Sequence, residues 1–283
     1  GIGAWKLVQR GLLPLRRFRR IAAQVSAQDL SHRLPEDKLP HELSTLARGI
    51  NVMLDRLDGG VQRLSQFSDD LAHELRTPIS NLLTQTQVAL AQPRDAAAYR
   101  EILASNAEEF QRLARMVSDM LLLAKAEHGL LLPRTEPIDL ADEVRALFDF
   151  YEALAEEKQI ELRCSGAAVL SGDRLMLRRA ISNLLSNALR HTPPRGCVEV
   201  VIESRPSAIS LQVGNSGSTI APELLPRLFD RFFRADKSRT HPDTEGAGLG
   251  LAITQAIVQA HGGQAAVTSA AGRTCFTLSF PLS

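Results

Sequence analysis

Residues 71–79, LAHELRTPI, lie in the middle of a long helical pattern. At about 100° per residue, His73 lies roughly opposite Leu71 and Leu75, so its imidazole is predicted to face solvent. Pro78 removes a backbone N–H and crowds the carbonyl four residues back, so a bend in the helix is expected there. The apolar stripe of this helix consists of Leu64, Phe67, Leu71, Leu75 and Leu82.

The polar side of the same stretch carries a candidate nucleophile. Glu74 follows His73 directly, and Thr77 lies four residues on, on the same helix face. A carboxylate can hold or accept one ring proton of an exposed imidazole while the other nitrogen attacks. The alternative is a surface histidine on a coiled coil, which an isolated His–Glu pair favours by roughly 10 to 1 because a motif needs its context.

Further motifs downstream supply that context. Four further motifs follow HELRTP along the chain, and the ordered set is far more specific than any one motif alone. The set resembles the sensor histidine kinases of two-component systems across residues 68–282. The motifs are NLLSNA at 183–188, NSG at 215–217, FDRFFR at 229–234 and GAGLGLA at 246–252.

Composition sets limits on the class of protein. The chain has 283 residues and 44% hydrophobic residues, which suggests about two or three domains with packed cores. Its net charge of +1 gives no indication of a nucleic-acid partner, which would need a clustered basic face. Cys164, Cys197 and Cys275 form no metal-spaced pair and are expected to be reduced, small apolar residues in a cytosolic setting.

Residues 1–60 resemble a HAMP relay domain: an amphipathic helix over 12–28, a connector with two prolines over 29–40, and a second helix from Glu42. In the second helix, the apolar seam continues from Leu57 to Val61, a step of four residues where three is expected. Such a change in spacing unwinds a coiled coil locally. We hypothesise a bistable joint that relays a signal to the histidine; the alternative is a plain dimerisation coil. The heptad seam of the second helix consists of Leu43, Leu46, Ile50, Met53 and Leu57.

The N-terminal end suggests a membrane anchor. Lys6 and five arginines follow GIGAW at residues 1–5, and Lys and Arg just inside a membrane span fit the positive-inside rule. A solvated helix face is the alternative for these charges. Because the sequence starts at Gly1 and holds no complete span, we expect a portion of a longer protein. The resemblance implies a bacterial inner-membrane kinase with this portion in the cytoplasm.

Residues 61–131 are predicted to form a helical hairpin. The first helix extends to Ala91, the turn at 92–95 ends in Asp95, which can cap the second helix, and Gly129 is placed to end it. Two long helices with a sparse seam cannot bury their apolar faces alone, so a homodimeric four-helix bundle is expected. The inward residues of the second helix include Ile102, Leu113, Met116, Val117, Met120 and Leu123.

Residues 132–283 change periodicity after a linker marked by Pro133 and Pro137. Helices are predicted at 139–158, 173–190 and 249–260. The order of helices and strands suggests a sheet with helices on one face, an α/β sandwich. The resemblance points to the Bergerat-type ATP-binding fold, so the whole chain is multidomain, with an all-α coiled-coil and four-helix-bundle dimer first. The predicted strands lie at 160–164, around Val198–Ile202, Ile209–Val213 and Phe276–Phe280, and after Gly262 and Gly263.

Nucleotide binding here must do without a P-loop, because the chain contains no such motif. Asn183 and Asn187 lie at i and i+4 on one helix face. By resemblance, the Asn187 amide oxygen is a ligand of Mg²⁺, which prefers oxygen and bridges phosphates, with Asn183 beside it. Arg190 and His191 are candidates for the phosphate or ribose side. The alternative, two surface asparagines, is weak on a helix otherwise so apolar.

Two glycine-containing motifs complete the candidate site. The family usually has Asp where Asn215 stands, accepting a hydrogen bond from the adenine amino group; Asn keeps an acceptor, loses the charge and adds donors. A similar Asn in a metal-responsive branch hints at the stimulus. Gly217 lets the backbone approach the base. A polar lid is expected over 235–247, with Lys237 and Arg239, anchored by the FDRFFR phenylalanines. The glycines that open the next helix and favour anionic oxygens are Gly246, Gly248 and Gly250.

The resemblance implies ATP-dependent autophosphorylation of His73, with Glu74 as proton acceptor or ring orienter. The phosphoryl group then passes to an aspartate of a response-regulator receiver domain. Thr77 is implied to orient a water for dephosphorylating that partner. The alternatives are an ATPase or serine kinase on the same nucleotide fold, and a nucleotide-binding scaffold without activity, motivated by Asn215.

Overall fold

The computed structural model describes residues 32–34, 41–234 and 248–282, except for the side chains of 41–43 and 63–64. The chain divides into two compact units, Gly1–Asn81 and Leu82–Ser283. The helices are α1 (His41–Ala91), α2 (Ala96–Glu127), α3 (Leu140–Glu157), α4 (Arg174–His191) and α5 (Gly250–Ala260). The strands are β1 (Glu136–Asp139), β2 (Glu161–Ser165), β3 (Val169–Gly172), β4 (Cys197–Arg205), β5 (Ala208–Ser216), β6 (Gln264–Ala270) and β7 (Arg273–Pro281).

The first unit shows how the start of α1 holds the segment before it. Asn51 accepts from the Leu34 backbone N–H at 2.8 Å and donates to the Leu34 carbonyl at 3.0 Å. Arg33 donates to the Asp55 carboxylate at 2.8 Å, one turn further along. The predicted first HAMP helix at 12–28, the basic run and the rest of the connector lie outside the described residues. Among the described helices, none has both the length and the apolar run needed to cross a bilayer.

The predicted seam of α1 is largely exposed in the single chain. Leu46, Met53 and Leu57 are 51%, 52% and 50% exposed, whereas Ala47 and Leu54 are buried. A heptad seam needs a second helix to cover it, and within residues 32–34, 41–234 and 248–282 these three side chains stay about half exposed.

The end of α1 and all of α2 follow the predicted boundaries. Helix α1 ends at Ala91, and the Asp95 carboxylate accepts from the Ala98 N–H at 2.7 Å, which caps α2. Gly129 follows α2 with a φ of 65°, which ends the helix. Val117, also predicted to face inward, is 45% exposed in the single chain. The buried apolar residues of α2 are Met116, Met120 and Leu123.

The C-terminal domain contains a five-stranded sheet, in the order β2-β4-β5-β7-β6. Only β2 and β4 pair in parallel; the other pairs are antiparallel. Alternate side chains of the central strands are buried, and α3, α4 and α5 pack on that face. The α/β sandwich is therefore confirmed. Each inward row carries large apolar side chains: Val198, Val200 and Ile202; Ile209, Leu211 and Val213; Phe276, Leu278 and Phe280.

A small additional sheet was absent from the prediction. Strands β1 and β3 pair antiparallel, with Ile138 opposite Leu170. Pro137, which suggested a linker, lies inside β1 opposite Ser171. Proline is tolerated at such a place because a two-stranded sheet leaves one side of each strand without a ladder partner.

Candidate nucleotide and phospho-acceptor site

The phospho-acceptor candidates lie on the polar side of α1. His73 and Thr77 are exposed, Glu74 is half-buried, and Leu71 and Leu75 are half-buried on the other side. The prediction that the imidazole faces solvent is confirmed. The helix continues through Pro78 without a break, so the missing N–H is accommodated within α1. An exposed imidazole can meet a phosphoryl donor that arrives from outside its own helix.

Helix α4 positions the two candidate asparagines. Its N-cap, Asp173, accepts from the backbone N–H groups of Met176 and Arg134, each at 3.1 Å. Although burial on its own raises the pKa of Asp173, the backbone N–H donors outweigh it and hold that pKa below its ordinary value. Asn183 and Asn187 are both half-buried beside residues such as Leu184 that are fully buried. The asparagines therefore share one polar strip of an otherwise apolar helix.

Asn183 also links α4 to the start of α5. Its amide nitrogen donates to the Gly250 carbonyl at 3.0 Å, and Thr254 donates to the same oxygen at 2.9 Å. This pair of bonds satisfies a carbonyl in the first turn of α5 and fixes the distance between the two helices. The structure thus joins Asn183 and Gly250, which sequence reasoning placed in separate motifs.

A cleft of about 500 Å³ opens beside Asn183, between α2 and α4. Arg179, one turn before Asn183, makes an ion pair with Asp119 of α2 in this cleft. Burial lowers the pKa of the Arg179 guanidinium. Sequence reasoning did not single out this pair, because its two residues are 60 positions apart and neither lies in a motif.

Asn215 is the second-last residue of β5, and its side chain is buried. It is 4% exposed, and its amide nitrogen donates to the Ser216 carbonyl at 3.0 Å. One of the two amide N–H groups is engaged in this bond, and the oxygen Oδ1 is an acceptor. The aspartate expected at this position would also present an acceptor.

Gly217 has a steric requirement that the structure makes visible. A Cβ at this position would lie 2.8 Å from the His191 carbonyl oxygen and 3.4 Å from the Asn215 amide nitrogen. The end of α4 and the end of β5 therefore meet at a distance that only glycine allows. Arg190 and His191 are exposed at this end of α4. Asn215, Gly217 and the last turn of α4 are thus brought together.

Thr274 is a candidate site residue that sequence reasoning missed. It is 5% exposed and lies directly opposite Asn215 in the β5–β7 ladder. Side chains directly opposite in an antiparallel pair are about 5 Å apart at Cβ, so the two polar groups share one end of the buried face. Only the strand register could have revealed this neighbour.

Gly248 and Gly250, at the start of α5, differ in backbone conformation and in the space around them. Gly248 has a φ of 69°, and a Cβ there would lie 2.9 Å from the backbone of Phe232. Its carbonyl accepts from the Phe232 N–H at 3.0 Å. Gly250 is in an ordinary conformation, and a Cβ there would meet nothing closer than 3.6 Å. Gly246, Lys237, Arg239 and the rest of the predicted lid lie outside the described residues.

The FDRFFR cluster packs as the sequence suggested. Phe229 makes an edge-to-face contact with Phe276 of the core at 6.2 Å between centroids. The Arg227 guanidinium lies over the Phe233 ring at 4.6 Å. Phe232 adopts a φ of 57°, which is unusual for a residue with a side chain and fits its close backbone contact with Gly248. The segment before the predicted lid is therefore fixed to the core.

The donor set near Asn187 fits a magnesium ion carried by a polyphosphate. The described residues contain no cluster of three or more His, Cys, Asp or Glu side chains that would hold a metal by themselves. Mg²⁺ usually keeps several waters and takes one or two protein oxygens together with substrate phosphates. One amide oxygen on a half-buried helix strip matches that mode of binding.

Three family models match consecutive parts of the chain. The HAMP domain matches residues 6–59, the His Kinase A (phospho-acceptor) domain matches 63–129, and the histidine kinase-, DNA gyrase B- and HSP90-like ATPase family matches 172–283. The chain belongs to the sensor histidine kinase family. The last match makes the C-terminal domain of this histidine kinase an ATP-binding domain.

Named relatives agree with this family. The sensor histidine kinase CusS of Escherichia coli is 48% identical over 275 residues, which cover 97% of this chain and 57% of CusS. The sensor protein CopS of Pseudomonas syringae pv. tomato is 45% identical over 244 residues, 86% of this chain and 50% of CopS. The chain therefore spans about half the length of the curated relatives it matches.

Solved structures share the fold. Histidine kinase AdeS of Acinetobacter baumannii has a TM-score of 0.62 at 22% identity, over 75% of this chain and 98% of AdeS. Full-length ShkA in complex with AMPPNP has a TM-score of 0.57 at 25% identity, over 77% of this chain and 45% of ShkA. The helical region followed by the α/β domain is thus an arrangement that other histidine kinases adopt.

Proposed function

We propose that this chain is the kinase portion of a membrane-bound sensor that phosphorylates itself on His73 with ATP and passes the phosphoryl group to an aspartate of a response regulator. The observation that carries the proposal is the exposed imidazole of His73 within the matched phospho-acceptor domain, followed by a matched ATP-binding domain. ThkA, a fold neighbour at 21% identity and a TM-score of 0.62, has been solved in complex with the response regulator protein TrrA.

In the proposed reaction, a ring nitrogen of His73 attacks the γ-phosphorus of ATP. A P–N bond forms, the bond from the γ-phosphorus to the bridging oxygen breaks, and ADP leaves. Glu74 accepts the ring proton or holds the ring for attack. An aspartate oxygen of the partner then attacks the phosphorus, an O–P bond forms, the P–N bond breaks, and the ring nitrogen of His73 leaves with the electron pair. Catalysis of this kind depends on positioning and charge neutralisation.

The nucleotide is proposed to lie between the end of β5 and the strip of α4 that carries the two asparagines. The Asn215 oxygen accepts from the amino group of adenine, and Thr274 supports that edge of the base. Gly217 lets the backbone approach the base closely. Asn183, Arg190 and the start of α5 at Gly248 and Gly250 face the phosphate and ribose side, together with Gly246.

Magnesium is proposed to enter with ATP and to be held by Asn187. When bound, the ion neutralises charge on the transferring phosphoryl group. The contribution of the protein is a single amide oxygen at a fixed position on α4, beside Asn183. A loss of this oxygen is therefore expected to weaken the binding of the magnesium complex of ATP more than the binding of ATP alone.

A homodimer is proposed because α2 exposes an apolar stripe. Leu103, Phe110 and Leu121 are 67%, 61% and 60% exposed, and Val117 is 45% exposed. Together with Tyr99 these positions are separated by four, seven, seven and four residues, which is a heptad spacing. A second copy with the same stripe covers it, and a two-fold bundle results.

The domain boundaries are proposed as the sequence predicts them: a HAMP-like relay at 1–60, the phospho-acceptor hairpin at 61–131 and the catalytic domain at 132–283. Thr77 is proposed to orient a water that dephosphorylates the regulator. The full-length protein is proposed to lie in the bacterial inner membrane with this portion in the cytoplasm. The Asn at position 215 favours a metal-responsive sensor.

Autophosphorylation with γ-labelled ATP tests the proposal. The purified dimer is expected to take up label that is lost in acid, as a P–N bond requires. His73→Gln is expected to abolish labelling while the affinity for ATP stays within twofold of wild type. Acid-labile label that survives in His73→Gln would remove His73 as the acceptor. An acid-stable product would favour the serine kinase, and ATP binding without labelling would favour the scaffold.

A further inference from the structure

The loop that follows Asn215 is fastened to the tip of the β6–β7 hairpin. The Gly217 N–H donates to the Gly272 carbonyl at 2.8 Å, and the Gly272 N–H donates to the Thr219 hydroxyl at 3.0 Å. Both backbone groups of Gly272 are therefore used by residues 217–219. At the tip of a surface hairpin these backbone groups usually form hydrogen bonds with water. Here they form hydrogen bonds with the 217–219 segment instead.

A second fastening lies three residues further along. The Ile220 N–H donates to the Ser269 hydroxyl oxygen at 2.9 Å, and that oxygen is 2.9 Å from the Thr274 hydroxyl. Since the Ser269 oxygen already accepts from Ile220, its own proton is available to donate to Thr274. A proton given by Ser269 would leave the Thr274 proton free for another acceptor, and Thr274 lies on the buried face that also carries Asn215.

The tip of the β6–β7 hairpin is a tight two-residue turn. Ala271 and Gly272 have φ values of 49° and 74°, and β6 and β7 flank them directly, which defines a two-residue type I′ turn. Such a turn usually takes Asn, Asp or Gly at its first position, so Ala271 is held in a conformation that it does not prefer. This conformation exposes the backbone groups of Gly272, whose carbonyl accepts from the Gly217 N–H and whose N–H donates to the Thr219 hydroxyl.

We propose that Thr219 and Ser269 are positioning residues for the nucleotide base. Their hydroxyls hold the 217–220 loop on the β6–β7 hairpin, and the Ser269 hydroxyl orients the Thr274 hydroxyl beside Asn215. This inference rests on the proposed function. In it, Asn215 supplies an acceptor and Thr274 a donor at one edge of the base. Adenine presents a complementary donor and acceptor there, whereas guanine presents the opposite pattern.

The test compares nucleotide affinities of the full 283-residue chain and its variants by calorimetric titration with ATP and with GTP. Thr219→Val keeps the shape and removes the acceptor, and we expect ATP binding to weaken about 2- to 10-fold, the usual net effect of one hydrogen bond. Thr219→Ser is expected to restore wild-type affinity. Because Thr219 is exposed, neither variant should impair folding.

Ser269→Ala is expected to weaken ATP binding about 10-fold and to reduce the preference for ATP over GTP, because Ile220 loses an acceptor and Thr274 loses its partner. Thr268→Val is the matched control: it is the adjacent residue of β6, lies on the other face of the sheet and is exposed, so both affinities should stay within twofold of wild type.

A merely structural role would lower the melting temperature of Ser269→Ala without nucleotide and leave the ratio of ATP to GTP affinities unchanged, and that result would overturn the inference. Equal affinity of Thr219→Val and wild type would overturn it as well. If wild type itself binds no ATP, the proposed function fails and the inference fails with it. If wild type binds ATP and both variants match it, only the inference fails.

Discussion

Gly248 and Gly250 look alike in the sequence, and the structure predicts opposite responses to the same substitution. At Gly248, alanine must adopt a φ of 69° and place its Cβ 2.9 Å from the backbone of Phe232. At Gly250, alanine finds an ordinary helical conformation, and the Asn183 side chain at 3.6 Å is a normal contact. Each variant adds one methyl group, and the two differ only in the position of that group within one short segment.

The expected magnitudes follow from these distances. For Gly248→Ala, the left-handed conformation costs about 1–2 kcal/mol and the crowding of a fixed backbone about 1–3 kcal/mol, for a loss of about 2–5 kcal/mol in the free energy of unfolding. For Gly250→Ala, replacing glycine in a helix is expected to gain about 0.5–1 kcal/mol. For a domain of this size, about 1 kcal/mol shifts the melting temperature by about 2–4 °C.

Differential scanning calorimetry of the full chain measures this difference. The transition of the catalytic domain is identified by its upward shift with ATP, since a ligand that binds the native state stabilises it. Gly248→Ala is expected to melt about 5–15 °C below wild type, and Gly250→Ala at or slightly above it. The comparison concerns stability alone, because both glycines are proposed to face the phosphates.

The reasoning would be refuted if Gly248→Ala melted within about 2 °C of wild type, since neither strain nor crowding would then exist at that position. It would also be refuted if Gly250→Ala lost as much stability as Gly248→Ala. In that case the Asn183 side chain would have to lie too close to residue 250 in solution to accept a methyl group there.

Further predictions concern the metal, the phosphatase and pH. Asn187→Ala should weaken ATP binding in magnesium and leave it unchanged in EDTA, as measured by titration; equal weakening in both would remove Asn187 as the ligand. Thr77→Ala should keep autophosphorylation and slow dephosphorylation of the regulator; equal loss of both would favour a structural threonine. Because the pKa of Asp173 is held low in the folded state, its stabilising effect is fully present above about pH 5 and is lost as the pH falls through the lowered value. The stability difference between wild type and Asp173→Asn, measured by urea unfolding, should therefore vanish at low pH, and a constant difference down to pH 2 would contradict this.

Most of the fold follows from periodicity and capping, which are local properties. The end of α1 at Ala91, the cap at Asp95 and the glycine stop at Gly129 were all predicted and are confirmed. The short β1–β3 sheet was missed because β1 holds only four residues with a proline among them, and its partner lies 30 residues away. Neither strand has a period long enough to identify.

Val117, which was predicted to face inward, is exposed in the single chain for a different reason. The period of α2 identifies every apolar position of the helix, but it does not say which positions meet a neighbour of the same chain. Met116 and Met120 are covered within the chain, and Val117 is not. Periodicity therefore reports the sum of all contacts that the helix makes in its proposed dimer, and one chain shows only part of them.

The candidate site was predicted through residues that stand in compact motifs, such as Asn187, Asn215 and Gly217. The hydroxyls of Thr219, Ser269 and Thr274 carry no such signal, because serine and threonine are common on strands and their partners are set by register. The structure brings them together through a hairpin whose two strands are distant in sequence from the end of β5. The proposed specificity for the base thus depends on strand pairing rather than on a motif.

The amide at position 215 shows why such pairing matters. A buried carboxylate must be compensated by donors, because removing a charge from water is costly. Asn215 avoids that cost and keeps an acceptor only as long as its amide does not rotate. The Ser216 carbonyl accepts from the amide nitrogen at 3.0 Å, and this bond opposes rotation of the amide. In the proposed site, the backbone of its own strand therefore helps a neutral residue to present the acceptor that an aspartate would present.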